Sequence, residues 1–473
     1  MKNRLELLAG SPKKGNVLYI SVRDQRLYNN HCIQYGYNLS YHYKSEFFIG
    51  IPLKHLKYNE VQYSLILENI EELTSDSKKY NLYFNILEKL EEFISTNNIK
   101  NIILDYCPLR EYTKFYKKIT DLSKNNDLFC VLIDSHNVVP CKLLSIYKRT
   151  SSSVKIQLYK FFFEYLDEYE NIKIEKAVQD KNFIDDNMKF IVDVWEKLQS
   201  HKFNNKKKVE KNICKLPNYE KSKYYQGGHK AGMKVLEDFF DKKFYMYNKD
   251  RNNPDVDGLS NISPYLHLGI LSPHKIIKLA YEKFYKKDKG NLEGFVSEIF
   301  IWRETSEHFC LHNKDYDNIQ GALEWARNSL KDHTKDKRER LYSKKELEEG
   351  KTEDLLWNAA QIQLITMNKI HGYVRMYWAK QIVKWTKTPE EAIKIAIELN
   401  DKYSVDGNDP NGYMGIMWCI CGSMDRGYKD RPMTGKIRPM NKIKTKSYEQ
   451  LWNNKEERGK YLSSIVCDRT STK

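Results

Sequence analysis

The sequence predicts an α/β N-terminal domain with a parallel, Rossmann-like sheet, followed by a larger, all-helical C-terminal domain. Two observations predict this division of the 473 residues. Before position 136, short apolar runs rich in β-branched and aromatic residues alternate with a helical pattern. From Gly227 onward, apolar residues recur at three- and four-residue spacing, and strand patterns are almost absent. We therefore place the α/β domain at 1–199, a basic linker at 200–225 and the helical domain at 226–473.

Four buried strands are predicted in the first domain, at 16–22, 46–52, 99–106 and 128–135. The segment 81–97 is predicted as a helix, because five apolar residues share one side of a helical wheel. These are Phe84, Ile86, Leu87, Leu90 and Phe93. The strand–helix–strand order favours parallel pairing. Asp105 and Asp134 would then lie at the carboxyl edge of the sheet, where such sheets bind ligands, although no GxGxxG dinucleotide fingerprint is present.

The formal net charge of +16 and the pI near 9.1 favour a polyanionic partner, either nucleic acid or an anionic membrane surface. Compositional drift in an AT-rich genome is the alternative explanation. No apolar run is long enough to span a bilayer, and residues 1–16 lack the apolar stretch of a secretory signal, so we expect a soluble, intracellular protein. The nine cysteines are scattered and show no zinc-ligand spacing, which predicts reduced thiols and no bound metal.

Two segments of the helical domain carry residues suited to ligands. In 259–276, Ser260, Asn261 and Ser263 precede an apolar helix, and hydroxyls with free backbone N–H groups at a helix start suit a phosphate. Ordinary helix capping is the simpler explanation of that pattern. Further along, Glu298 and Trp302 are four residues apart and share a helix face, so they could receive a base edge-on and stack it. A half-buried acid with a basic partner would give the same pattern.

The stretch "MYWAKQIVKW" places Trp378 and Trp385 on one helix face, about 10.5 Å apart along the axis. Core packing explains such spacing, and so does a route for electrons. The segment 399–422 differs, because six Asp or Asn residues and four glycines interrupt two helical patterns. A loop of that polarity, followed by small residues around Trp418, is typical of a binding site for a flat ligand.

Long motifs in the chain match a known family. The matching stretches include "LSNISPYLHLG", "WRETSEHFC", "LWNAAQ", "HGYVRMYWAK", "LNDKY", "DGNDPNGYMGIMW" and "RPMTGKIRPMN", with "RDQR", "PLR" and "DSHNVVP" in the first domain. The C-terminal motifs run in family order across 247–441. By these motifs the chain resembles class II cyclobutane-pyrimidine-dimer photolyases of the photolyase/cryptochrome family.

The resemblance implies one FAD in the helical domain. In this family, light excites the fully reduced flavin, which gives an electron to a pyrimidine dimer flipped out of DNA, and the cyclobutane ring splits before the electron returns. The implied activity is a carbon–carbon lyase of DNA repair that acts on UV-damaged DNA as a monomer. The FAD-contacting positions carried over by motif are Tyr247, Leu259, Ser260, Asn261, Ile262, Ser263, Arg303, Arg375, Asn400, Asp406, Gly407 and Asn408. Arg375 is expected to pair with Asp406.

The resemblance also assigns substrate roles. Glu298 would hydrogen-bond the carbonyl edge of the dimer, and Asn400 would face flavin N5 without bringing a negative charge. Trp302 and Trp418 would sandwich the flipped bases, with Met376 packed against them. The electron-transfer triad of the family is matched by Trp378, Trp357 and Trp385, as its proximal, middle and surface members. The DNA-contacting residues are matched by Arg251, Arg426, Lys436 and Arg438.

The first domain departs from the family pattern near its expected antenna site. Asn29 stands where the family usually has Asp, and "KRTSSSVKIQ" replaces a basic, alanine-containing stretch after "DSHNVVPC". A deazaflavin antenna chromophore would fit this domain, but these departures leave its presence open. A cryptochrome-like flavin photoreceptor without repair activity is the alternative function, and a flavin-free DNA-binding remnant is the third. The retained substrate residues favour repair.

Overall fold

A six-stranded sheet forms the centre of the N-terminal part. The fold is taken from a computed structural model that describes residues 2–77, 82–145, 147, 150–166 and 217–466. The strands are β1 (Leu5–Ala9), β2 (Asn16–Ile20), β3 (Phe47–Ile51), β4 (Tyr83–Ile86), β5 (Ile99–Asp105) and β6 (Phe129–Ile133). Their order is β1-β6-β5-β2-β3-β4, with β1 antiparallel to β6 and every other pair parallel. The predicted parallel α/β sheet is therefore confirmed.

Helices cover both faces of this sheet, which explains why its central strands are continuous apolar runs. They are α1 (His31–Tyr43), α2 (Glu60–Ser77), α3 (Leu90–Thr96), α4 (Arg110–Asn125) and α5 (Ser151–Leu166). The four predicted strands correspond to β2, β3, β5 and β6. The edge strand β1 was not predicted, because it is only half-buried and lacks a clear period.

The predicted helix at 81–97 is wrong over its first half. Residues Tyr83–Ile86 form β4, in which Phe84 pairs with Ile49 of β3. Only Leu90–Thr96 is helical. A four-residue apolar strand followed directly by a helix gives one merged pattern, and periodicity over so short a run cannot separate the two states.

Within the described residues from 217 onward, all regular structure is helical. The helices are α6 (His229–Lys242), α7 (Tyr247–Asp250), α8 (Ser263–His267), α9 (Pro273–Phe284), α10 (Lys289–Val296), α11 (Arg303–His312), α12 (Glu324–Asp332), α13 (Lys344–Glu348), α14 (Leu355–Met367), α15 (Gly372–Trp385), α16 (Pro389–Tyr403), α17 (Pro410–Cys421), α18 (Lys446–Asn453) and α19 (Lys455–Ser464). Between α10 and α11, Ser297–Trp302 forms a π-helical segment. No helix in the described ranges is long and apolar enough to cross a membrane.

The predicted domain boundaries stay predictions. Residues 200–216 of the proposed linker lie outside the described part, and 217–225 form an irregular segment. Two clusters of buried apolar side chains each include residues from both parts of the chain. One joins Leu104 of β5 to Trp357 of α14, and the other joins Tyr19 of β2 to Phe239 of α6. The sheet and the helical part therefore share their cores.

Asp105 and Asp134 lie at the carboxyl edge as predicted, but both carboxylates are used by the chain itself. Asp105 accepts hydrogen bonds from the backbone N–H groups of Val22 (2.7 Å) and Arg23 (3.0 Å), and burial raises its pKa to about 6. Asp134 accepts from the N–H of Cys141 at 2.7 Å. These bonds fix the loops after β2 and β6 within the α/β part. The expectation that the two carboxylates would bind a ligand is therefore not supported.

Candidate active site

The polar loop between α16 and α17 forms the floor of the candidate site. Thr388 caps the start of α16, and Asp409 caps α17 by accepting the N–H of Asn411 at 2.9 Å, with Pro410 at the first helical position. Residues 404–409 connect the two helices. Asn408 has a left-handed backbone, with φ of 53°, which Asn tolerates better than most residues. The Asp and Asn residues noted in the sequence therefore serve helix ends and turns as well as the site.

Asp406 is the electrostatic centre of this loop. Its carboxylate is 3.0 Å from Arg375 Nη2 of α15 and accepts hydrogen bonds of 2.7 Å from the hydroxyls of Ser263 and Ser404. Burial alone would raise its pKa, but the charges of Arg375 and Lys369 and the two hydroxyls hold it well below the usual range. The predicted pairing of Arg375 with Asp406 is confirmed, and the site contains a permanently ionised carboxylate.

Asn400 is held rigidly at the end of α16, with 3% of its surface exposed. Its Nδ2 donates to Asp401 Oδ1 at 3.0 Å, and the same carboxylate accepts the N–H of Asn408 and the hydroxyl of Tyr413, both at 2.9 Å. A Cβ at Gly412 would lie 2.9 Å from Asn400 Nδ2, so glycine is required beside it. The amide nitrogen of Asn400 is thus fixed on Asp401.

The turn from Leu259 to Ile262 precedes α8. Asn261 has φ of 58°, and its Oδ1 accepts a hydrogen bond from Lys369 Nζ at 3.3 Å. Burial lowers the pKa of Lys369 to about 8, so its ammonium group loses a proton more readily than that of an exposed lysine. A nearby anion favours the protonated form. Leu259 and Asn261 border a cavity of about 520 Å³ that Lys369 and His371 also line. The predicted phosphate-binding turn thus has a cation beside it.

Hydrogen-bond donors without partners lie next to this floor. Arg375 Nε and His371 Nε2 are buried and form no hydrogen bond within the described residues. Buried donors without partners are rare, so they indicate a ligand that accepts from them.

We call Trp302, Trp418, Glu298 and Arg251 the mouth of the site. It is aromatic on one side and charged on the other. The rings of Trp302 and Trp418 have centroids 5.6 Å apart and are tilted by 55°. Glu298 forms an ion pair with Arg251 Nη1, and Arg251 also lies 5.6 Å above the ring of Tyr247. Burial raises the pKa of Glu298, while the charge of Arg251 opposes that shift.

The two mouth indoles contact each other instead of standing apart. A base between two parallel rings needs them about 7–8 Å apart, twice the optimum carbon–carbon separation. At 5.6 Å and with a 55° tilt, Trp302 and Trp418 form a corner with two exposed faces. The expectation of a sandwich is therefore corrected: two joined bases would rest against the corner. Met376 is 40% exposed at the start of α15 and is free to contact a bound molecule.

The three tryptophans proposed as an electron route form a continuous row. Trp378 and Trp357 are parallel within 5°, with centroids 6.1 Å apart, and Trp357 meets Trp385 edge-on at 5.5 Å. The indole N–H of Trp357 donates to the carbonyl of Trp378, and that of Trp378 donates to Gln361, both at 2.9 Å. Trp357 and Trp378 are fully buried, whereas Trp385 is partly exposed. The row therefore leads from the interior to the surface.

Not every predicted residue joins the site. Arg303 is turned toward the sheet, where it donates to the carbonyl of His136 at 3.0 Å and lies 3.4 Å from Glu304. The Nη1 atom of Arg303 is buried and forms no hydrogen bond within the described residues, and the expected place of this residue beside a cofactor stays a prediction. Arg426, Lys436 and Arg438 are exposed on the loop after α17, with Arg438 5.9 Å above the ring of Tyr428.

Several residues of the site were missed. Asp401 and Ser404 lie within the segment 399–422, and Lys369 lies just before "HGYVRMYWAK", but only the structure shows that they contact the predicted side chains. Asn59 and Gln62 come from the α/β part and reach the backbone of the polar loop. At the first turn of a helix, two amides are explained by capping, so the sequence gives no signal of that second role.

Comparison with known proteins agrees with this geometry. No protein-family profile matches the chain. The chain is 33% identical to "Deoxyribodipyrimidine photo-lyase" of Potorous tridactylus over 439 residues, which cover 90% of this chain and 77% of that protein. It is 34% identical to the protein of the same name from Arabidopsis thaliana over 445 residues, which cover 90% and 85% of the two chains.

Solved structures share the fold. A bacterial class III photolyase from Agrobacterium tumefaciens superposes with a TM-score of 0.62 at 14% identity, covering 97% of this chain and 87% of that one. A cryptochrome from Synechocystis gives a TM-score of 0.62 at 12% identity, covering 96% and 89%. At these identities the superpositions establish the fold: an α/β domain followed by a helical part.

We predict that Asp406→Asn lowers the free energy of unfolding by about 2–3 kcal/mol, because the charge of Arg375 loses its partner. The pKa of Asp406 is lower in the folded than in the unfolded chain, so its stabilisation is complete above about pH 5 and is lost as the pH falls below about 4. Denaturant titrations at several pH values measure the difference. The exposed Asp332→Asn is the control; equal stability of both variants at pH 7 would contradict the prediction.

Proposed function

This chain belongs to the deoxyribodipyrimidine photo-lyase family, whose class II members its sequence resembles, and we propose that it uses light to repair cyclobutane pyrimidine dimers in DNA. The observation that carries this proposal is the mouth of the site. Glu298 with its partner Arg251 lies next to the corner formed by Trp302 and Trp418. An apolar corner with a carboxyl group beside it matches a pair of stacked bases that carry carbonyl groups on one edge.

FAD is the proposed cofactor. When bound, the flavin supplies the light absorption and the transferable electron. Asn400 would present its carbonyl oxygen to the N5–H group of the reduced ring, and an amide accepts that hydrogen bond without adding charge. Arg375, with its unused Nε, would face an electron-rich ring, and Asp406 keeps that arginine fixed.

The phosphates would lie at the turn before α8. Tyr247, the turn residues from Leu259 to Ser263 and the Gly407–Asn408 segment complete the proposed FAD contacts. Lys369 beside Asn261 adds the cation that a diphosphate needs. Arg303 stays in this set, because its Nη1 atom is buried and has no hydrogen bond within the described residues. A deazaflavin antenna in the α/β domain stays a prediction, and residues 148 and 149 of the divergent stretch lie outside the described part.

Binding of the dimer would use the mouth residues. Trp302 and Trp418 would each offer one ring face, and Met376 would adapt its flexible side chain to the bases. Glu298 would hydrogen-bond the carbonyl edge, and the burial that raises its pKa favours the protonated form that can donate. A donor aimed at that edge stabilises negative charge as it develops on the dimer.

DNA would approach along a basic surface. Arg426, Lys436 and Arg438 share one exposed loop, and Lys380 fixes it by donating to the carbonyls of Cys419 (2.8 Å) and Arg438 (2.9 Å). Cations held in place in this way neutralise backbone phosphates, so affinity for DNA should fall as salt rises.

The proposal is tested by purifying the full chain, recording its visible spectrum, and following cyclobutane dimers in irradiated DNA under blue light and in the dark. We expect a flavin spectrum and loss of dimers only in the light. A yellow protein that leaves the dimers intact after chemical reduction would support the photoreceptor alternative. A colourless protein that still binds DNA would support the flavin-free alternative.

Glu298→Ala should lower the yield of repair by about 10-fold or more, while bound flavin stays at the level of the unaltered protein. The reason is that Glu298 is proposed to act on the dimer, and its ion pair is with Arg251, which is proposed to contact DNA. Repair yield per absorbed photon and flavin content are the two measurements. Glu293→Ala, an exposed carboxylate on the preceding helix, is the matched control. Loss of flavin in the Glu298 variant would refute the assignment.

Trp357→Phe should block photoreduction of oxidised flavin but leave repair by chemically reduced protein unchanged. Trp357 is the middle ring of the row, and Phe keeps the packing while removing the oxidisable indole. Photoreduction is followed as bleaching of the flavin band under blue light with an external donor. Trp452→Phe, a buried indole outside the row, serves as control. Photoreduction at the normal rate in the Trp357 variant would exclude this route.

A further inference from the structure

Side chains of the α/β domain hold the backbone of the loop that carries the proposed flavin contacts. We define the cofactor loop as residues 400–409, and the clamp as Arg23, Asn59 and Gln62. We propose that the clamp positions the cofactor loop, so that the α/β domain is part of the flavin site whether or not it carries an antenna chromophore. This inference rests on the proposed function only in treating that loop as the flavin site.

Asn59 and Gln62 act as a pair at the start of α2. The Oδ1 atom of Asn59 accepts the backbone N–H of Gln62 at 3.0 Å, and the Oε1 atom of Gln62 accepts the backbone N–H of Asn59 at 3.1 Å. These reciprocal bonds form a capping box that fixes both side chains. Each amide therefore uses its oxygen on its own helix, and its NH2 group points away from that helix.

Both NH2 groups donate hydrogen bonds to the cofactor loop. Asn59 Nδ2 donates to the carbonyls of Asp401 (3.0 Å) and Ser404 (2.8 Å). Gln62 Nε2, which is fully buried, donates to the carbonyl of Gly407 at 2.8 Å and lies 3.2 Å from His267 Nε2. These two side chains therefore hold three backbone carbonyls of the loop, at Asp401, Ser404 and Gly407.

The end of the loop is held by charge. Arg23 Nη2 lies 3.2 Å from Asp409 Oδ2 and 2.6 Å from Glu307 Oε1 of α11. His267 Nδ1 bonds the same oxygen of Asp409 at 2.8 Å, which joins this end of the loop to Gln62. Asp409 also caps α17, the helix that carries Gly412 and Trp418. The clamp thus fixes the loop on its outer, backbone side, while Asn400 and Asp406 face inward.

Two isosteric variants remove the clamp without removing the cap. Asn59→Asp and Gln62→Glu keep the oxygen that accepts the backbone N–H, but they turn the donor toward the loop carbonyls into an acceptor. The matched control is Asn69→Asp on the same helix. Asn69 is fully buried, and its Nδ2 donates to the carbonyl of Gln25 at 2.8 Å, inside the α/β domain. It has the same chemistry and contacts no residue of the cofactor loop.

The full chain is compared in all four forms by two measurements. Amide hydrogen exchange across 400–409 should be about 5- to 10-fold faster in the Asn59 and Gln62 variants, the factor that corresponds to one lost buried hydrogen bond. Flavin should dissociate faster by a similar factor. In Asn69→Asp the exchange of this loop and flavin dissociation should match the unaltered chain.

Unchanged exchange and flavin release in both clamp variants would overturn the proposal, as would equal changes in Asn69→Asp. If either clamp variant fails to fold, the other is used together with Arg23→Met, for which the same loss is expected. The exchange measurement needs no flavin. A chain that binds no flavin would therefore refute the proposed function, while faster loop exchange would still support the clamp.

Discussion

The carboxylate of Asp409 holds three parts of the molecule in one arrangement. Arg23 reaches it from the sheet edge, His267 reaches it from α8, and its other oxygen starts α17 by capping. Burial alone would raise the pKa of this group, but the His267 hydrogen bond and the Arg23 charge hold it well below the usual range. A buried carboxylate lowers the stability of the fold unless all its partners are present. The Asp409 carboxylate is therefore stable only when the sheet, the loop and the helix are docked together.

That requirement explains why the two parts of the chain share their cores. If the sheet were attached only through a linker, Arg23 would be free to move away, and Asp409 would lose a charge partner in a dry environment. Arg110 and Asp317 add a second ion pair at 2.6 Å between the parts. The loop 400–409 therefore lies between the sheet and the helical part, and side chains of both hold its conformation.

The sequence indicated which side chains lie together more reliably than it indicated the distances and angles between them. The tryptophan row could be anticipated because Trp378 and Trp385 lie at helical spacing and Trp357 lies on the preceding helix. The tilt of Trp302 against Trp418 could not, because it depends on the π-helical segment and on how α11 packs against α17.

Other errors have equally local causes. Segment 81–97 merges a short strand and a helix into one apolar pattern, so its strand β4 was read as helix. The hydrogen bond from Arg303 to the carbonyl of His136 also has no counterpart in the sequence pattern. Gln62 carries no sequence signal, because an amide in the first turn already has a sufficient reason to be there. A sequence pattern can explain one hydrogen-bond partner of a side chain, such as a helix end. It does not indicate a second partner elsewhere in the fold.

Helix α15 carries an exposed methionine and a buried tryptophan on opposite sides. Met376 is exposed at the mouth, whereas Trp378 is buried in the row of indoles. Two residues along a helix differ by about 200° around its axis, so these side chains point to opposite sides. The side that carries Met376 is open to water, while the side that carries Trp378 is dry and fixed by hydrogen bonds from both buried indoles. Helical geometry alone separates the row of indoles from the exposed side of the helix.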